Sequence, residues 1–142
     1  MDAMMWLKIV VLAALWFGFG AFWYSPFGLG KLWMAALGKT QEELRAEGGP
    51  MTRPLVIAAL VCLFQTAALG FVIGHLKIDS VFMAGLAGLL MAASFGLLSP
   101  LRGHAFWPRG SRQLIWIDSG YDLVPAAIIG GLLSWWCRAS LS

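Results

Sequence analysis

Residues 112–138 read RQLIWIDSGYDLVPAAIIGGLLSWWCR, an apolar run between two arginines that holds two acids, Asp118 and Asp122. Fifteen residues, 123–137, separate Asp122 from Arg138. At about 1.5 Å per residue a helix of that length covers roughly 22 Å, short of the roughly 30 Å hydrocarbon core of a bilayer. A membrane-crossing helix that ends near Arg138 must therefore begin near Asp118. That sets Asp118 at the membrane boundary and Asp122 one turn inside it. An ionisable group costs about 2.5–3.5 kcal/mol at the centre of such a helix and less near the interface, so the pair needs an explanation.

Working outward, the remaining chain has the same character. Of 142 residues 60% are hydrophobic and 12% charged, against about 25% charged in a soluble domain. Mean hydropathy is +0.78. No charge falls between Lys8 and Lys31, between Arg53 and Lys77, or between Asp79 and Arg102. With the last segment these runs predict an all-α, polytopic membrane protein with four transmembrane helices, near 4–24, 55–74, 80–100 and 114–136. The whole chain, 1–142, forms a single domain, and its first partner is the lipid bilayer.

Net charge is +3. The distribution of the basic residues argues for topology rather than nucleic acid. Four spans put Lys8, Lys77 and Arg138 on one side and Lys31, Lys39, Arg45, Arg53, Arg102, Arg109 and Arg112 on the other. Cytoplasmic loops concentrate such residues, so both termini are expected outside the inner (plasma) membrane of a bacterium. Residues 1–25 read as a span and not a cleaved leader, because they end in Phe22, Trp23 and Tyr24, which suit an interface. Lys8 is expected to snorkel outward. Cys62 and Cys137 fall in different spans and read as small buried residues, not a disulfide.

The first loop carries two local signals. Trp33, Met34 and Leu37 recur at helical spacing between Lys31 and Lys39, predicting a short amphipathic helix in the interface that Gly38 ends. Thr40 and Glu43 form a capping box for a further turn of helix. In the third loop Phe106 and Trp107 stand among Arg102, Arg109 and Arg112. With Lys31, these arginines suit anionic headgroups, though topology alone is the better explanation of them.

Within the spans, Gln65 and Thr66 place polar groups near the middle of the second, fit for interhelical hydrogen bonds or a share in a ligand site. Ala84, Gly88, Ala92 and Gly96 repeat every four residues along the third. Such a stripe lets another backbone approach closely, whether from this chain or a neighbour. On the fourth, Asp118 and Asp122 share a face, Tyr121 stands beside them, and Pro125 removes a backbone donor and invites a kink. Two carboxylates there suit a cation or proton site, an anchor for Arg102, Arg109 or Arg112, or a contact for a polar ligand. The sequence implies no metal or other cofactor: His75 and His104 fall on opposite sides, and no Cys/His cluster has ligand spacing. Nor does either histidine stand near a nucleophile as a base, so an enzyme is the least supported class.

Residues 20–26 resemble 95–100, 53–56 resemble 112–115, and 67–70 resemble 126–130, which predicts two repeated helical hairpins. Trp23-Tyr24-Ser25-Pro26 followed by Gly30-Lys31-Leu32-Trp33, and Gly120-Tyr121-Asp122-Leu123-Val124 with Gly130-Gly131 and Trp135, resemble the bacterial membrane-protein family called domain of unknown function 1761. Leu29 stands where the family pattern has a phenylalanine. The resemblance implies a small four-helix membrane protein and carries no activity. Two functions fit these features. One is an oligomeric transport or ligand-binding protein using Asp118, Tyr121, Asp122, Gln65 and Thr66. The other is an accessory subunit of a larger membrane complex, docked through its small-residue stripe and aromatic belts.

Overall fold

A computed structural model describes residues 3–48, 52–98 and 111–139. All regular structure among them is helical: α1 Ala3–Trp23, α2 Gly30–Leu37, α3 Gln41–Gly48, α4 Thr52–His75, α5 Val81–Ala92 with a π-helical turn over Ala93–Leu97, and α6 Arg112–Ala139. The four long apolar runs thus correspond to α1, α4, α5 with its π turn, and α6. Two of these helices, over Met4–Trp23 and Pro54–His75, are long and apolar enough to cross a membrane. The apolar run Val81–Leu97 is shorter, and α6 carries its two acids. Residues 99 and 100, expected to end the third span, lie outside the described residues.

Contacts at both ends fix the directions of the long helices. The Lys8 ammonium donates to the Trp136 carbonyl (3.2 Å), and the Trp23 indole donates to the Ile117 carbonyl (3.1 Å), so α6 runs antiparallel to α1 along its whole length. Gly70 of α4 lies near Met5 and Ile9 of α1 and near Leu133 of α6, which makes α4 antiparallel to α1 and parallel to α6. The α4–α5 connection is a tight turn at Leu76 and Lys77, where Ile78 N–H reaches back to the Ile73 carbonyl (3.0 Å). Buried Ser134 of α6 donates to the carbonyls of Ile78 and Asp79, pinning that turn. Leu12, Trp16, Cys62, Leu69, Ala84, Ile129 and Leu133 fill the core between the helices.

The most extensive helix contact is α5 on α6, and the small-residue stripe makes it. A Cβ added to Gly88 would run into the Ala126 carbonyl, one added to Gly130 into the Ala84 carbonyl, and Ala84 itself is fully buried. The backbones touch because both surfaces lack side chains there. The stripe read as a docking surface is thus covered by α6 of the same chain. Lys8 also departs from the expectation: it is 5% exposed. Its ammonium turns inward to α6, where the last carbonyls of a helix lack intrahelical donors and carry the negative end of its dipole.

The loop signals fold locally as their chemistry dictates. Helix α2 ends at Gly38, whose φ of 69° is the left-handed region that glycine adopts without strain. The Thr40–Glu43 box closes reciprocally. The Glu43 carboxylate accepts from Thr40 N–H (2.7 Å) and from its hydroxyl (3.0 Å), while Glu43 N–H donates to that hydroxyl (3.2 Å). The backbone N–H of Thr40, then its hydroxyl, hold the Glu43 carboxyl below its ordinary value of 4.5. These donors favour the charged form, so the cap is complete above the ordinary value and is lost as pH falls through the lower folded one. Amide signals of residues 40–44 are expected to hold steady from pH 7 to 5 and to shift together only at more acidic pH. In Glu43→Ala the same signals should be frayed throughout.

Candidate functional site

Where α1 meets the start of α6, each helix offers a glycine to an aromatic ring of the other. A Cβ at Gly20 would lie 2.8 Å from the Tyr121 ring, and one at Gly120 would lie 3.0 Å from the Trp23 ring. Trp23 then reaches the Ile117 carbonyl, and the Tyr24 hydroxyl donates to Asp118 Oδ1 at 2.8 Å. The Tyr24 ring stands edge-on to Trp33 of α2, with centroids 5.6 Å apart, and lies 5.5 Å from Tyr121. The chain can turn so sharply after Trp23 because Gly30 has no Cβ to strike the Tyr24 carbonyl and because the Ser25 hydroxyl bonds the Phe22 carbonyl at 2.7 Å. Asp118 is therefore an exposed carboxylate with a phenolic donor, at the end of the molecule where α1 finishes.

Asp122, one turn deeper and half-buried, faces a different environment. It lines a cleft of about 350 Å³ with Gln65 and Phe64 of α4, Phe95 and Gly96 of the π turn, and Trp16 of α1. Its carboxylate lies against Gly96, where a Cβ would sit 2.7 Å from Oδ2. The π turn that presents Gly96 is tied to α6 by the Ser119 hydroxyl, which donates to the Gly96 carbonyl at 2.8 Å. Such turns widen a helix locally and frequently occur at functional sites. Trp16 is 3% exposed, and its indole N–H is buried with no hydrogen-bond partner among the described residues. A second groove, about 470 Å³ between Phe82 of α5 and Trp135 of α6, has no ionisable group among the described residues of its walls. Charge chemistry therefore belongs to the first cleft.

The residues singled out by sequence are divided between these surroundings. Gln65 and Asp122 share the cleft. Tyr121 stands between the two acids in sequence, but its hydroxyl turns to the Cys62 thiol, 3.6 Å away. Thr66 is fully buried and donates to the Cys62 carbonyl of its own helix at 2.8 Å, so it lines no cavity. Ala92 and Gly96 border the cleft as well as the helix contact. Neither acid is paired with an arginine among the described residues. Arg112 and Lys31 are exposed, and Arg102 and Arg109 lie outside the described residues. No group of three His, Cys, Asp or Glu side chains gathers as metal ligands among the described residues.

Sequence reading placed Trp23 in an interfacial belt, whereas its half-buried indole is a helix-to-helix donor. It also missed the Tyr24–Asp118 bond and the partnerless Trp16. A signal for the first two was present: a glycine near an aromatic on each of two helices, Gly20 one turn before Trp23-Tyr24 and Gly120 beside Tyr121. The two motifs, far apart in sequence, pack into one structure at the α1–α6 junction. No curated protein and no solved structure matches the chain. A family model, described as a protein of unknown function (DUF1761), matches residues 7–134. That match covers both motifs except Trp135 and reaches every helix that meets at the cleft, and the chain belongs to this family.

Proposed function

We propose that the chain is a multi-pass protein of a bacterial inner membrane, a four-helix bundle with four spans, that binds or transports a small ligand at Asp122. The membrane reading starts from the two long apolar helices. If α1 crosses, α6 crosses with it, because Lys8 and Trp23 hold α6 alongside from end to end. The run from Val81 to Leu97 extends about 25 Å, near the hydrocarbon thickness, and returns from α4 through a tight turn. The observation that carries the ligand reading is the meeting of a carboxylate, Asp122, and a carboxamide, Gln65, in a cleft whose other walls are apolar. Small-molecule sites are built in this way, from an apolar enclosure with a few placed polar groups.

Asp122→Asn tests this. An amide keeps the size of the side chain and loses its charge and its proton. Thermal stability in detergent is expected to stay within a few degrees of wild type, while pH-dependent uptake into liposomes or ligand retention falls. A large loss of stability with no change in uptake would return Asp122 to the role of an arginine anchor. A second reading, as an accessory subunit of a larger complex, is favoured by the apolar groove of about 470 Å³ between α5 and α6. Native mass measurement in mild detergent separates the two by showing a retained ligand, a homo-oligomer or a foreign protein. The basic loops support an outside location for both termini, and a reporter fused after Ser142 is expected to read external.

A further inference from the structure

Among the described residues Asp122 is the single ionisable side chain lining its cleft, and no arginine is paired with it. Phe64 and Phe95 line the cleft and are 75% and 78% exposed. In a membrane rings exposed in this way face hydrocarbon, so an occupant reaches the cleft from the bilayer. A carboxylate in such a place favours a positive occupant, since an anion would be repelled and a neutral one would leave the charge uncompensated. A bare metal ion does not fit the donor set. Ca²⁺ takes six to eight oxygens and Mg²⁺ near-ideal octahedral geometry, and the described residues of the cleft walls offer one carboxylate and one side-chain amide. The remaining lining is apolar, with three aromatic rings, Phe64, Phe95 and Trp16, and the Met91 thioether among small aliphatic residues. Aromatic faces attract organic cations, quaternary ammonium above all.

Resting on the ligand reading above, we propose that the ligand is a lipophilic organic monocation, which enters from the bilayer and sets its positive centre on Asp122 and its apolar body against Phe64, Phe95 and Met91. Gly96 takes part by absence: with no Cβ beside Oδ2, the carboxylate stays approachable. The cleft volume of about 350 Å³ lies at the lower end of the range for small-molecule sites. It therefore favours a body of one aromatic ring with a short substituent.

The test uses the full chain in lipid nanodiscs and two probes of one shape, benzyltrimethylammonium and its neutral carbon isostere neopentylbenzene. Neither donates a hydrogen bond, so charge alone separates them. The cation is expected to bind saturably and at least tenfold more tightly than the isostere. Asp122→Asn should lose at least tenfold for the cation and leave the isostere unchanged. Ala68→Leu, which narrows the cleft from α4, should weaken both. Equal binding of the two probes to wild type, with both weakened by Ala68→Leu, would overturn the cation assignment and leave the cleft as a ligand site. Saturable binding of neither probe would overturn both. The comparison of probes needs only the wild-type protein, so a poorly folded variant does not blunt it.

Discussion

Gly88→Leu is expected to separate α5 from α6 and to cost about 3 kcal/mol or more, at the upper end of what overpacking a close contact costs. The reason is the absence of anything that can move aside. A Cβ at Gly88 meets the backbone carbonyl of Ala126, not the flexible end of a side chain, and a Cβ at Gly130 meets the carbonyl of Ala84 in the same way. Adding bulk on either side forces the two backbones apart along the whole stripe. Leu89, one position on and 38% exposed, borders the open groove between α5 and α6, where a smaller side chain meets no backbone. Leu89→Ala should therefore change the unfolding midpoint in detergent by no more than a few degrees. Equal tolerance of Gly88→Leu and Leu89→Ala would mean that the stripe does not carry the α5–α6 contact.

Trp23→Ala should be nearly as damaging, by about 3 kcal/mol, the usual cost of truncating a packed tryptophan. Three contacts go at once: the face laid on Gly120, the tilted stacking on Phe19 at 5.4 Å, and the indole bond to the Ile117 carbonyl. Trp23→Phe separates these parts. It keeps an aromatic ring over Gly120 and loses only the donor, worth about 0.6 kcal/mol on average between membrane helices. Chemical unfolding of the two variants should thus differ about fivefold in their loss of stability. If both variants unfold like wild type, Trp23 is an interfacial anchor after all, and the α1–α6 junction is held by Tyr24 and Tyr121.

The parts of this molecule that were legible in the sequence are those set by short spacings. The capping box at Thr40–Glu43, the αL stop at Gly38 and the stripe from Ala84 to Gly96 each depend on residues within one or two turns of each other. What spacing cannot supply is the rotation of a helix about its own axis relative to its neighbours. Thr66 follows Gln65 directly, yet about 100° of helical turn carries one into the core and the other into the cleft. The same ambiguity affects amphipathic side chains. Trp23 and Lys8 suit a membrane interface by composition, and both instead donate to carbonyls of α6. Trp16 falls in the middle of the first apolar run, but that its N–H lacks a partner among the described residues depends on what other helices bring to it. The pairing of the stripe with α6 was likewise invisible, because Gly130-Gly131 reads as one more small pair in an apolar run.

The bond between Lys8 and the Trp136 carbonyl gives the order of synthesis a physical consequence. The two residues are 128 positions apart, so α1 waits for α6 to be made before this bond can form. Until α6 arrives, that carbonyl acceptor does not exist, and Gly20 and Trp23 lack the face of α6 that they lie against. A chain halted before α6 therefore keeps that face of α1 uncovered. α6 acts as a seal on α1, and products interrupted ahead of it should be the ones that proteases remove fastest.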